Sequence, residues 1–182
     1  MSDKHDPGIG YVVSLCGVMS GLALALMFIL GMVPSFEYFS PGMGGLLIWM
    51  IRKELGVKYG LTSYLAVGIL GLLIVPNYEA TMMFLFLLGY YPIIREYLQK
   101  IKIKIFQWIV KLAVFAIPSV GAYTILIRLF GMEYLMEDVA EFGLYGLLAL
   151  GALAFILYDI FLGLVNPYYD KIIKPKIQKR MK

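Results

Sequence analysis

Long apolar runs alternate along this chain with short polar breaks, and the breaks are of two kinds. The stretch from Pro76 to Lys104 sets the pattern. Pro76, Asn77, Tyr78 and Glu79 form a polar start with one acid, Ala80 to Tyr91 carries no charge, and Arg95, Lys100, Lys102 and Lys104 close the segment. A run of this kind reads as a membrane-spanning helix, and because Lys and Arg collect in cytoplasmic loops, its basic end faces the cytoplasm. Five further runs take their direction from it. The pattern predicts helices over about residues 11–33, 41–57, 59–75, 80–97, 105–130 and 142–165, followed by a basic tail at 166–182. Pro34 stops the first helix and Pro76 the third. Pro118, near the middle of the fifth, lacks an N–H and frees a carbonyl that a neighbour or water must satisfy.

Residues 43–51 are short for a crossing. A re-entrant turn there would carry Arg52, Lys53 and Lys58 outside and reverse the Arg95 to Lys104 end as well, so a thin or tilted full crossing is expected. The Pro34 to Gly42 loop holds Glu37 among Phe36, Tyr38 and Phe39 with no base, and Gly131 to Glu141 holds Glu133, Glu137, Asp138 and Glu141. Both read as external. Arg128 is then the lone base on the outer side, and the tail from Lys171 to Lys182 lies inside, near anionic headgroups. The expected fold is an all-α integral membrane protein: a compact bundle of six transmembrane helices forming a single domain over 1–182, with N- and C-termini cytoplasmic. The first helix lacks a basic leader cluster and a small-residue cleavage site, so it is expected to be retained.

Composition agrees. The chain is 61% hydrophobic, with a mean hydropathy of +0.82 and 15% charged residues, so lipid rather than water is its main solvent. The net charge of +4 does not point to nucleic acid, because the bases sit at the ends of apolar runs. Cys16 is the single cysteine, which excludes an internal disulfide and a cysteine metal cluster. His5 is the single histidine and lies in the polar leader, so neither a His-Glu-x-x-His zinc site nor a Ser-His pair can form in the bundle. Tyr158-Asp159 has no second membrane aspartate to share a proton with, and no phosphate-binding Gly-x-x-x-x-Gly-Lys-Ser/Thr loop occurs. No catalytic residue, metal or cofactor is expected, and the chain does not read as an enzyme.

Three groups of residues carry the candidate function. Gly17, Gly21 and Ala25 recur at every fourth position of the first helix, a flat stripe that lets another helix backbone approach, inside this bundle or from a separate subunit. The sixth helix has a comparable stripe at Gly143, Gly146, Ala149 and Ala152. Lys111 and Asp159 lie at similar depth, the latter roughly 10 Å inside the cytoplasmic exit. Buried membrane charges are costly, so the two are expected to pair. At the outer end Glu37, Tyr38, Asn77, Tyr78, Glu79, Tyr123 and Arg128 offer aromatic faces and hydrogen-bonding groups for a small solute, although tyrosines also serve as interfacial anchors. Trp49 and Trp108 read as belt residues at the cytoplasmic boundary.

From Tyr11 to Val165 the chain resembles the substrate-binding S components of energy-coupling factor transporters, prokaryotic vitamin and metal importers with six helices and both termini inside. Their first helix carries a small-xxx-small stripe that docks on a transmembrane coupling subunit, and Gly17, Gly21 and Ala25 match that spacing. The resemblance implies a multi-pass protein of a prokaryotic cell membrane that captures a vitamin-like solute and is energised by a coupling subunit and ATPase subunits. Gly89-Tyr90-Tyr91-Pro92-Ile93-Ile94 followed by Trp108-x-x-Lys111 also looks like uncharacterised membrane proteins of Gram-positive bacteria. The alternative function is a non-transporting membrane scaffold, assembly or regulatory protein, which would present a filled bundle.

Overall fold

The structure, a computed structural model, describes residues 8–33, 36, 38–131 and 134–173, and all secondary structure among them is helical. The chain divides into two compact units, Met1–Leu135 and Met136–Lys182. In the first, α1 (Ile9–Gly31), α2 (Ser40–Leu55) and α3 (Val57–Ile74) are followed by α4 (Tyr78–Met83), a π-helical segment (Phe84–Leu88), α5 (Tyr91–Gln99) and α6 (Lys104–Phe130). The long α7 (Tyr134–Tyr168) makes up most of the described part of the second unit and runs into a π turn at Tyr169–Ile173.

Four helices are long and apolar enough to cross a membrane: Ile9–Gly31, Val57–Ile74, Lys104–Arg128 and Leu148–Lys171. Their outer faces agree with that solvent. Val13, Val18 and Ile29 of α1, Ile69 and Leu73 of α3, and Ile109 and Ile117 of α6 are all exposed, an apolar surface of a size that water-soluble monomers rarely carry. The other two expected crossings take different forms. α2 is 16 residues long, and the expected helix over 80–97 is a rod interrupted by the π segment.

Within the first unit the neighbours alternate in direction. The connections are short, and α2 turns into α3 through Gly56 alone, whose φ of 99° lies in the left-handed region that a side chain disfavours. Contacts fix the register. Gly68 of α3 faces Leu85 and Gly71 faces Thr81, an antiparallel pair, while Gly31 at the end of α1 meets Val75 and Asn77, so α1 and α3 run together. Gln107 Nε2 donates to the Leu98 carbonyl at 3.1 Å, and Tyr90 Oη donates to that of Val114, which sets α6 antiparallel to α5.

α2 sits at the centre. Leu47, Ile48 and Ile51 join Ala23 and Met27 of α1, Val67 of α3, Phe84 of the π segment and Ile93 of α5 in one core. Gly44 lets Met27 and Phe84 close on the α2 backbone. Enclosure also explains a correction: Trp49, read from the sequence as a belt residue, is 1% exposed, because a helix surrounded by others has no lipid-facing side. Trp108 on α6 is 37% exposed and keeps a surface position.

Candidate functional site

The small stripe of α1 faces outward. Gly17, Gly21 and Ala25 are all exposed, and a Cβ added at Gly17 or Gly21 would meet nothing within 4 Å. The helix instead turns Val12, Ala23 and Met27 toward the core, with Cys16 and Met19 beside them. Three-residue and four-residue steps of larger side chains thus fill the bundle, and the flat face is left for something else. The stripe on α7 is described in part: Ala149 is exposed and Gly146 and Ala152 are half-buried, while Gly143 lies outside the residues whose burial is described.

The register of the helices puts Tyr38, Asn77, Tyr78, Glu79 and Arg128 at the same end of the first unit, where Gly31 meets Asn77 and Leu126 packs with Met82, with Tyr123 about a turn deeper on α6. Glu37 lies outside the described residues. Asn77 has structural employment: its Oδ1 caps α4 by accepting from the Ala80 N–H at 2.9 Å, and its backbone carbonyl accepts from the Thr81 hydroxyl at 3.2 Å. Tyr38, Tyr78 and Tyr123 are 56%, 38% and 38% exposed, the degree of exposure that interfacial tyrosines have and that the lining of an enclosed pocket lacks.

Both members of the expected charge pair are buried, Lys111 at 4% and Asp159 at 5% exposure. The Lys111 ammonium lies 4.8 Å from the centre of the Trp108 ring, a cation–π distance. Lys111 belongs to the first unit and Asp159 to the second, so the expected pair spans two units that are described separately.

A feature that sequence reasoning missed lies where the fourth expected crossing breaks. The Gly89 N–H reaches back five residues to the Phe84 carbonyl at 2.8 Å, so the Leu85 carbonyl loses its usual helical donor; the Tyr64 hydroxyl of α3 takes that place at 2.6 Å. The freed carbonyl before Pro118 has the same solution. It belongs to Val114, and the Tyr90 hydroxyl donates to it at 2.6 Å, supplying the neighbour that the proline demands. Tyr64 and Tyr90 meet edge-on, with ring centres 6.4 Å apart, and Tyr64 leans on Phe84 at 5.7 Å. The sequence held a signal for this break. Gly89 and Pro92 fall inside one apolar run, and Pro92 removes the donor to the carbonyl four residues earlier.

The opposite end of the unit is basic. Arg52, buried in the last turn of α2, places its Nη1 2.6 Å from Glu96 Oε1 of α5 and its guanidinium 5.7 Å from the Tyr97 ring. Arg95 is buried beside Gln99, whose side-chain oxygen can accept from Nη1 and Nη2 at 3.0 and 2.9 Å. Lys53 covers the Trp49 ring at 5.0 Å and Lys100 the Tyr97 ring at 5.3 Å. No known family, curated protein or solved structure matches the chain.

Proposed function

We propose that the chain is a membrane-embedded subunit that joins a larger assembly through α1, and that within this assembly it captures a small solute for import driven by coupling and ATPase subunits. The observation that carries the reading is the exposed face of Gly17, Gly21 and Ala25. In lipid, apolar burial no longer drives helices together, so a flat face that admits another backbone is where a partner helix gains van der Waals contact. The proposal includes six crossings, both termini inside and residence in a prokaryotic cell membrane. Alternation of direction through the first unit supports counting α2 and the Tyr78 to Gln99 rod as passes. α2 spans about 24 Å against a hydrocarbon thickness of about 30 Å, a shortfall that costs little for a helix shielded from lipid.

The test is purification from the native membrane in mild detergent, comparing the natural chain with Gly17→Leu/Gly21→Leu. The reading expects co-purifying membrane and ATPase subunits that the double variant loses while staying monodisperse. A partner retained by that variant, or none with the natural chain, overturns it. A second reading, a scaffold or assembly factor without a solute, is favoured by the commitment of Asn77 to a helix cap and by the exposure of the outer tyrosines. Mass spectrometry of the purified complex separates the two: a bound small molecule supports capture, and a ligand-free complex supports the scaffold.

A further inference from the structure

We infer that the basic end of the first unit is a docking surface for the phosphate headgroups of acidic phospholipids. The register brings four helix ends to one level: the last turns of α2 and α5 and the first turns of α3 and α6. Arg52 stands against Gly60 and Glu96, and Gln107 against Leu98. These ends and the residues between α5 and α6 carry Arg52, Lys53, Lys58, Arg95, Lys100, Lys102 and Lys104 against two carboxylates, Glu54 and Glu96. Glu96 is engaged by buried Arg52. Lys58, Lys100, Lys102 and Lys104 are exposed, and among the described residues none of the four meets a carboxylate. Among the described residues no carboxylate relieves their mutual repulsion, and an anion from outside the chain would do so.

The surroundings select the anion. Beside the lysines, Ile103, Ile105 and Phe106 are 66%, 76% and 54% exposed, and Tyr97 is 53% exposed. A phosphate on Lys100, Lys102 and Lys104 with an acyl chain along Ile105 and Phe106 satisfies both chemistries, whereas a soluble anion leaves the apolar side uncovered. Tyr97 holds Lys100 over its ring and is itself fixed by Arg52, so one cation is positioned before the lipid arrives. Anionic leaflets attract polybasic segments of this kind, and the attraction is screened by salt. The inference requires the chain to be embedded in a membrane and is independent of whether it moves a solute.

The full chain is exchanged into mixed micelles holding equal phosphatidylglycerol and phosphatidylcholine with identical acyl chains, and retained lipid is counted by native mass spectrometry. Phosphatidylglycerol is expected to be retained at least about fivefold over phosphatidylcholine, falling toward parity in Lys100→Gln/Lys102→Gln/Lys104→Gln and staying high in the matching Lys→Arg variant and in Arg128→Gln at the opposite end. For the natural chain, raising sodium chloride to about 0.5 M is expected to erode the preference, a readout that needs no variant. Equal retention of the two lipids, a preference that survives the glutamines or the salt, or displacement of the lipid by millimolar inorganic phosphate would each overturn the assignment, the last in favour of a soluble anion.

Discussion

Two helices of this protein carry glycines along one face and use that face in opposite ways. α1 has Gly17, Gly21 and Ala25 at every fourth position, and α3 has Gly60, Gly68 and Gly71 with Ser63 and Val67 on the same side. On α3 each glycine is a point of closest approach. A Cβ added there would lie 2.8 Å from the Arg52 Cβ at Gly60, would overlap a Leu85 methyl at Gly68, and would lie 3.2 Å from the Thr81 methyl at Gly71. On α1 the same residue type looks onto open space. The spacing therefore says that a helix can be approached closely. Whether the approaching helix belongs to the same chain is decided by which face the larger side chains claim for the core.

Substitutions sharpen this contrast. The largest effect is expected at Gly60→Ala: its nearest neighbours are the Cβ and Cα of a buried arginine, which cannot swing aside, so overpacking should cost about 1–3 kcal/mol in detergent-titrated unfolding. Gly68→Ala should cost less, because the atom in its way is the far end of a leucine that can change rotamer. Equal losses at the two positions would break the explanation by backbone rigidity.

The Arg52–Glu96 bridge, which backs onto Gly60, comes next. Glu96→Gln strips a buried guanidinium of its counter-charge, and with the carboxylate itself 47% exposed the loss should be about 1–2 kcal/mol, with the melting temperature as the readout. A change within experimental error would mean that the bridge orders a side chain without stabilising the fold.

Tyr90→Phe leaves the Val114 carbonyl without its donor and should cost about 1–2 kcal/mol. In a Pro118→Ala background the helix regains its own N–H donor, so the same substitution should cost at least about 0.5 kcal/mol less, a coupling that a double-mutant cycle measures directly. Additive losses would exclude the proline as the reason for the tyrosine.

The smallest effect belongs to α1. Gly17→Ala and Gly21→Ala meet no neighbour and should leave the isolated chain unchanged or stabilised by at most about 1 kcal/mol, through the better helix propensity of alanine. Destabilisation above that size would show that the outward face packs within the bundle after all.

Much of the fold was legible because lipid imposes a strong rule. Backbone groups without water must bond within a helix, so each long apolar run announces itself, and the boundaries of α1, α3 and α6 fall within about two residues of those expected. The crossing around Pro118 was legible down to the need for an outside donor, although not to the identity of Tyr90. The helix expected over 80–97 was read as continuous because its hydropathy is unbroken; Gly89 and Pro92 carried the warning that hydropathy does not register. The capping role of Asn77, a member of the expected solute site, depends on backbone geometry that composition does not report.

The sequence by itself determined that this chain is helical and built around long apolar runs, six of which it counts as crossings where the structure shows four helices long and apolar enough to span a bilayer, and that its bases and acids separate along the chain. Those properties follow from the solvent and act locally. Tertiary structure decided that α2 lies inside the others with Trp49 in the core, that the α3 glycines meet neighbours while the α1 glycines do not, and that two tyrosines complete the hydrogen bonding where a π segment and a proline leave carbonyls free. Each of these depends on which helix faces which, a pairing set by packing between residues far apart in the chain and therefore absent from any local pattern.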